Sequence, residues 1–241
     1  MTRNQKIKIL VIDDDQKLLR DVRAHLEKLG YEVSTVDDGV SGLKRMKSFY
    51  PDLIVLDVNF PNDNGSRRQS LDGVEVLRRI RESSTVPVLM LSITTISTMK
   101  IMALSIGADD YVSKPFDLQE LSARIESILR RTNQNIPNTQ VLRFQRLCLD
   151  PGERRVWKDD QPIELTGIEF DILYTLARKP EHVFTRDYLL EHAWKDSSFV
   201  VPKAVDVHIG HIRKKIEDHP SSPTFIITVR SVGYRFEDVA L

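Results

Sequence analysis

The sequence predicts an α/β doubly wound five-stranded parallel sheet followed by an α+β winged helix-turn-helix domain. Three observations carry this reading. Short β-rich apolar runs alternate with helical stretches over the first half of the chain, as in a parallel sheet covered on both faces. A polar stretch at 132–138, containing a proline, then interrupts the pattern. Beyond it come short strands, three helical stretches and a closing hairpin.

Taken in order, residues 6–12 form the first strand and 16–29 the first helix. In that helix Leu18, Leu19, Val22, Leu26 and Leu29 recur at helical spacing, and Gly30 suits the C-terminal cap. A second strand and helix follow at 31–35 and 39–49, then a third pair at 53–57 and 73–82. The alternation continues at 88–91, 96–105, 110–112 and 118–131, giving five βα units. The first domain is therefore expected over 6–131, a linker over 132–138 and a second domain over 139–238. In the second, 141–149, 154–158 and 162–165 are expected as antiparallel strands. Helices are expected at 167–178, 186–194 and 204–217, and the hairpin at 225–229 and 233–236. One segment stands out: 61–71 is polar and aperiodic, a long loop directly after the third strand.

The 241 residues suit two domains of ordinary size, and 41% hydrophobic content supports real cores. A single cysteine, Cys148, excludes an intrachain disulfide framework and fits a reducing compartment. No apolar stretch approaches a membrane span, and the polar start is unlike a signal peptide, so a cytoplasmic protein with no membrane partner is expected. The first 131 residues carry 20 Lys/Arg against 19 Asp/Glu and the remainder 15 against 16. Bulk charge thus gives no support for nucleic-acid binding, and any such contact must rest on local clusters.

The chemistry concentrates at strand ends. Asp57 closes the run 53–57, the first strand runs into Asp13-Asp14-Asp15, and Lys114-Pro115 follows the run at 111–113. In a parallel α/β sheet, ligands bind beyond the carboxyl ends of the strands. Carboxylates crowded there repel one another unless a hard cation and a lysine neutralise them. The pattern proposes a Mg²⁺ site with one aspartate placed for modification. Helix capping accounts for one of the three consecutive acids and poorly for all three. Singly, Asp57 reads as a turn residue, Lys114 as a surface lysine and Ser92 as a loop hydroxyl.

Together these residues resemble a two-component response regulator of the OmpR/PhoB type. The receiver motifs are Val11-Ile12-Asp13-Asp14-Asp15, Leu56-Asp57, Leu91-Ser92 and the run from Gly107 to Phe116. The effector motifs are Glu164-Leu165-Thr166 with Glu169-Phe170, Val205-Asp206-Val207-His208-Ile209, and the run from Thr228 to Phe236. The resemblance implies a flavodoxin-like receiver in which Asp57 is the phosphoacceptor and Asp14 a direct Mg²⁺ ligand. Asp13 would hold a metal-bound water, and Asn59 would lend its backbone carbonyl. Ser92 would turn its hydroxyl toward the phosphoryl group, Tyr111 would act as an aromatic switch, and Lys114 would pair with the acid or phosphoryl. The implied partners are a histidine kinase, double-stranded promoter DNA, RNA polymerase and, when phosphorylated, a second copy of the chain. The dimer face would carry Lys100, Asp109, Asp110, Glu120, Arg124 and Arg131, paired as Lys100–Glu120, Asp110–Arg124 and Asp109–Arg131. The bland alternative is a solvated face with an i,i+4 pair, Glu120–Arg124.

The stretch 204–217 is amphipathic. Val205, Val207, Ile209, Ile212 and Ile216 supply a core stripe, while Lys203, His208, His211, Arg213, Lys214 and Lys215 lie largely off it. By resemblance it is the recognition helix, contacting DNA through Lys203, His208, His211 and Arg213, with Arg230 anchoring the wing. The segment 195–202 would touch RNA polymerase. Four departures stand out: Ile93 after Ser92, a loop after Asp57 longer than the family's usual spacing, and Gly210 and His211 where relatives often have Arg or Lys. Two other functions compete. A Mg²⁺-dependent phosphatase could use Asp57 as nucleophile, but haloacid-dehalogenase-like phosphatases place an acid two residues later, where this chain has Asn59. An atypical regulator would bind DNA independently of phosphorylation.

Overall fold

The computed structural model describes residues 6–59, 71–92, 106–133, 140–194 and 202–237, the side chains of 131–133 excepted. Most of the expected loop at 61–71, the helix at 96–105, most of the linker, Ile93, Lys100, the Arg131 side chain and nearly all of 195–202 lie outside them. The chain divides into two compact units, Met1–Leu129 and Arg130–Leu241.

In the first unit, strands β1 (Lys8–Ile12), β2 (Glu32–Val36), β3 (Leu53–Asp57), β4 (Val88–Ser92) and β5 (Asp110–Ser113) form one sheet in the order β2-β1-β3-β4-β5. All its pairings are parallel. The helices are α1 (Gln16–Lys28), α2 (Gly39–Phe49), α3 (Gly73–Arg81) and α4 (Leu118–Asn133). Helix α4 thus continues into the range expected as linker. The strands are apolar throughout because both faces are covered. Ile9, Val11, Leu53, Val55, Leu89 and Leu91 form one core with Leu19, Val22 and Leu26 of α1 and Leu121, Ile125 and Ile128 of α4. The alternate residues Leu10, Ile12, Ile54, Leu56 and Met90 are fully buried too.

Local chemistry starts each helix. Asp15 caps α1 by accepting from the Lys17 and Leu18 amides, Asp38 caps α2 and Asp72 caps α3. Gly30 follows α1 with φ +95°, as its expected capping role requires. Gly73 has a tighter constraint. A Cβ there would lie 1.9 Å from the Asp57 carbonyl oxygen, so only glycine lets α3 start against the end of β3.

The second unit opens with a four-stranded antiparallel sheet, β6 (Leu142–Arg143), β7 (Leu147–Asp150), β8 (Arg155–Lys158) and β9 (Gln161–Ile163). The single strand expected at 141–149 is therefore two strands of a hairpin, closed by the Phe144 amide bonding to the Leu147 carbonyl. Helix α5 (Gly167–Ala177) begins with a capping box between Thr166 and Glu169. Next come β10 (Phe184–Thr185), α6 (Arg186–Trp194), α7 (Lys203–Ile216), β11 (Ile226–Val229) and β12 (Gly233–Phe236). The unexpected β10 pairs with β12, giving a three-stranded wing sheet β10-β12-β11.

Three side chains hold this unit's helices to the wing. Glu217, after α7, is buried and accepts from the Thr224, Phe225 and Ile226 amides at 2.8–3.2 Å. Asp206 accepts from Arg186 of α6 at 2.6 Å and from the Tyr234 hydroxyl of β12 at 2.7 Å. Arg213 donates to the Ile226 carbonyl and to Thr228 Oγ1. Replacing Glu217 with Ala strands buried amide donors, which costs about 1–3 kcal/mol. Both tryptophans, Trp157 and Trp194, lie in this unit, so urea unfolding followed by their fluorescence should show Glu217→Ala less stable by that amount.

Candidate functional site

The carboxyl ends of four strands bring the receiver residues together. Asp13 follows β1, Asp57 ends β3, Ser92 ends β4, and Lys114 follows β5 and is joined to Pro115 by a cis peptide. Asp13, Asp57 and Ser92 are buried. Asp14 is more open to solvent than the other two acids. The Lys114 ammonium reaches Asp13 Oδ2 at 2.6 Å and Asp57 Oδ2 at 3.1 Å. Its amide bonds the Ser92 carbonyl at 2.7 Å, holding the ends of β4 and β5 in register.

Burial, then the Asp13 charge, pushes the Asp57 carboxyl up to about 6. Burial likewise raises Asp13 against the opposing bond from Lys114. Burial alone would lower Lys114, but its bond to Asp13 and the Asp57 charge leave it above the ordinary lysine value. Asp15 departs from the other acids: its carboxylate is held down by the Leu18 and Lys17 amides it caps. Capping thus explains one acid of the three.

The residues fit a hard divalent cation. Carboxylate oxygens of Asp13, Asp14 and Asp57 lie within 4.8 Å of one another. Asp57 Oδ1 is buried with no hydrogen-bond partner among the described residues. An orphaned anionic oxygen beside two more carboxylates is what a Mg²⁺ ion requires.

Tyr111 is buried, its hydroxyl accepting from Ser113 Oγ at 3.2 Å. The expected dimer face is partly turned inward. Asp109 is buried and accepts from Arg81 and the Val88 amide, both at 2.9 Å. Within the protomer it is held by the end of α3 and the start of β4, whereas the sequence reading paired it with Arg131 of a second copy. Arg124 meets Asp110 at 3.1 Å and Glu120 at 3.1 Å within one chain. Asp110–Arg124 is therefore an internal pair here, while the Glu120 side chain remains 43% exposed.

On α7 the structure exchanges two expected positions. His208 is fully buried against Trp194, at a ring distance of 5.2 Å, whereas Val207 is half-buried. Ala204, His208, Ile212 and Ile216 form an i,i+4 row that, with Val205 and Ile209, makes the buried face. His208 is thus a core residue and, as placed, has no surface to offer DNA. Arg213 also departs from its expected exposure. Its guanidinium bonds the wing and lies 5.7 Å from the Tyr234 ring centroid, so it joins helix to wing. Burial lowers its pKa. The outward face carries Lys203, Val207, Gly210 and Lys214, with His211 on one flank and Arg230 exposed in the wing. The structural roles of Glu217, Asp206, Arg81 and Gly73 escaped the sequence reading. Only Gly73 had a local signal, the Asp-Gly pair opening a helix.

A carboxylate pocket on a doubly wound sheet and a winged helix-turn-helix in one chain define a receiver-coupled transcriptional regulator. Comparison with known proteins agrees. Residues 9–126 match the response regulator receiver domain, and residues 160–236 match the family described as transcriptional regulatory protein, C terminal. The chain is 40% identical over 243 residues to the probable transcriptional regulator ycf27 of Porphyra purpurea, covering 98% of this chain and 97% of that protein. It is 38% identical over 228 residues to the DNA-binding response regulator MtrA of Mycobacterium leprae (strain TN), covering 95% and 97%. A solved structure of a RitR cysteine mutant aligns over 97% of this chain and 100% of its own, with TM-score 0.72 and 26% identity. The chain belongs to the two-component response regulators of the OmpR/PhoB type. Among the described residues no helix is long and apolar enough to cross a membrane.

The raised Asp57 pKa has a direction that can be measured. The folded protein holds this proton more tightly than the unfolded chain, whose ordinary value is 3.8. Its contribution to stability is therefore fully present below that value and is lost as pH rises through about 6. A cation must displace the same proton, so Mg²⁺ affinity measured by calorimetry should fall as pH drops through about 6. Equal affinities well above and well below that pH would contradict the raised value.

Proposed function

We propose that this chain is a DNA-binding transcription factor switched by Mg²⁺-dependent phosphorylation of Asp57 by a partner histidine kinase. The observation that carries the reading is Asp57 itself: one carboxylate oxygen orphaned in the pocket, the other beside Lys114. The Asp57 carboxylate would attack phosphorus as the bond from phosphorus to the donor breaks. Lys114 already bridges two carboxylates and can offset the charge the phosphoryl brings. Ser92, at the neighbouring strand end, would donate its hydroxyl to a phosphoryl oxygen, and Tyr111 would report that shift toward α4. Mg²⁺, held by Asp13, Asp14, Asp57 and the Asn59 carbonyl, would supply further charge neutralisation. Treatment with a small phosphodonor and Mg²⁺ should add one phosphoryl mass to the wild type and none to Asp57→Ala. Undiminished labelling of the variant would sink the assignment.

Phosphorylation would favour a symmetric dimer through the face holding Lys100, Asp110, Glu120 and Arg124, placing two recognition helices on tandem half-sites about 10–10.5 bp apart. Exposed ion pairs each contribute about 0–1 kcal/mol, so they would set register while apolar neighbours supply burial. Among the described residues of this face Glu120 is the exposed one, and its reversal costs the protomer only its solvent-exposed i,i+4 pair with Arg124. Sedimentation of phosphorylated Glu120→Lys should show a weaker dimer, and an unchanged dimer would remove this face.

On DNA, Lys203, Lys214 and His211 of α7 would approach the major groove while Arg230 anchors the wing, and the 195–202 segment would meet RNA polymerase. Lys214→Ala and Arg230→Ala should each reduce the slope of log affinity against log salt by about 1. A slope unchanged by either substitution would exclude that residue from phosphate contact.

A further inference from the structure

A second cluster of metal-ligating side chains lies in the DNA-binding unit, away from the receiver pocket. Glu169 of α5 and His208 and His211 of α7 place a carboxylate oxygen and two imidazole nitrogens within 4.8 Å of one another. We propose that these three residues form a binding site for a borderline-soft divalent transition metal, with Zn²⁺ as its best-matched occupant. Two imidazoles and one carboxylate are a ligand set that d-block divalent ions accept and that Mg²⁺ or Ca²⁺ do not favour.

The geometry suits an ion. His211 Nδ1 lies 3.8 Å from Glu169 Oε1. That is long for a hydrogen bond, whose N···O distance is about 2.7–3.2 Å. Two ligands at about 2.0–2.1 Å on one tetrahedral ion sit roughly 3.3–3.4 Å apart, so half an ångström of closure completes the pair. The ligands are also held in place. The capping-box bond from the Thr166 amide to Glu169 Oε2, at 2.8 Å, fixes the carboxylate and leaves Oε1 facing His211. Trp194 packs edge-on against His208, and the two histidine rings cross at 78° with centroids 6.0 Å apart. Glu169 and His208 are buried, while the His211 side chain is 25% exposed and gives the ion a way in. Three protein ligands would leave a fourth position for water.

One group opposes the site. Lys215 donates to Glu169 Oε2 at 2.7 Å and places a positive charge nearby. Its side chain is one-third exposed, so on binding it can swing into solvent and leave the carboxylate to the cation. The ion would then cross-link α5 to the recognition helix α7, stabilising the unit as any ligand specific for the folded state does.

The test uses the full chain with millimolar Mg²⁺ present to occupy the receiver pocket. Zn²⁺ is titrated in competition with a chromophoric chelator, Co²⁺ is used as a spectroscopic substitute, and melting is followed by tryptophan fluorescence. Wild type and Asp57→Asn should each retain one tightly held Zn²⁺, give the intense visible absorption of four-coordinate Co²⁺, and melt higher with Zn²⁺. His211→Ala, a change at the most solvent-open of the three ligands, should weaken Zn²⁺ at least tenfold and lose both the absorption and the melting shift. Lys215→Ala should bind Zn²⁺ more tightly. No binding by wild type, full retention by His211→Ala, or loss in Asp57→Asn would overturn the proposal, the last by placing the ion in the receiver.

Discussion

Asp13 and Asp57 end neighbouring strands of one sheet, and both are buried within reach of a single ammonium, that of Lys114. Two carboxylates in a low-dielectric pocket cannot both stay ionised without compensating charge. The lysine supplies one positive charge across these two acids, with Asp14 a third close by, so the pocket stays short of neutral and Asp57 Oδ1 has no hydrogen-bond partner among the described residues. That shortfall makes the pocket both a cation site and a nucleophile. The parallel sheet makes it possible, because only strands running the same way deliver all four groups to one edge.

The second unit answers a different problem, fixing a helix relative to a three-stranded wing sheet. It does so with charges placed on backbone and hydroxyl groups. Glu217 gathers the amides at the start of β11, Arg213 reaches the Ile226 carbonyl, and Asp206 ties α6 and α7 to Tyr234. Burial, reinforced by the bond to Asp206, pushes the Tyr234 phenol up to about 12, so this link keeps its proton throughout the physiological range. A recognition helix presented this way moves with its wing.

Much of this was legible from local pattern. The strands of the first unit announce themselves as apolar runs because they are buried on both faces, and their charged endings mark the pocket. The misreadings are equally physical. Val205, Val207 and Ile209 alternate with period two, which wrongly favours Val207 when the backbone is helical. The i,i+4 row that buries His208 is hidden beneath that alternation. Strand β10 has only two residues and gains its identity from β12, some fifty positions later. Asp109 reads as an exposed acid until Arg81, contributed by α3, is brought against it by the fold. What depends on partners distant in sequence cannot be read from a window of neighbours.

Gly210 sits at the centre of the outward face of α7, and a Cβ built there meets nothing within 4 Å. Among the described residues nothing therefore resists a larger residue at this position. Most changes to a protein's binding preference disturb the structure that presents it, and selection must then repair the damage. Here the two are uncoupled. A single codon can extend a new side chain toward the groove and replace a helix-weakening glycine in the same step. On the proposed reading of α7 as the recognition helix, operator preference could drift at that position without loss of the fold that carries it.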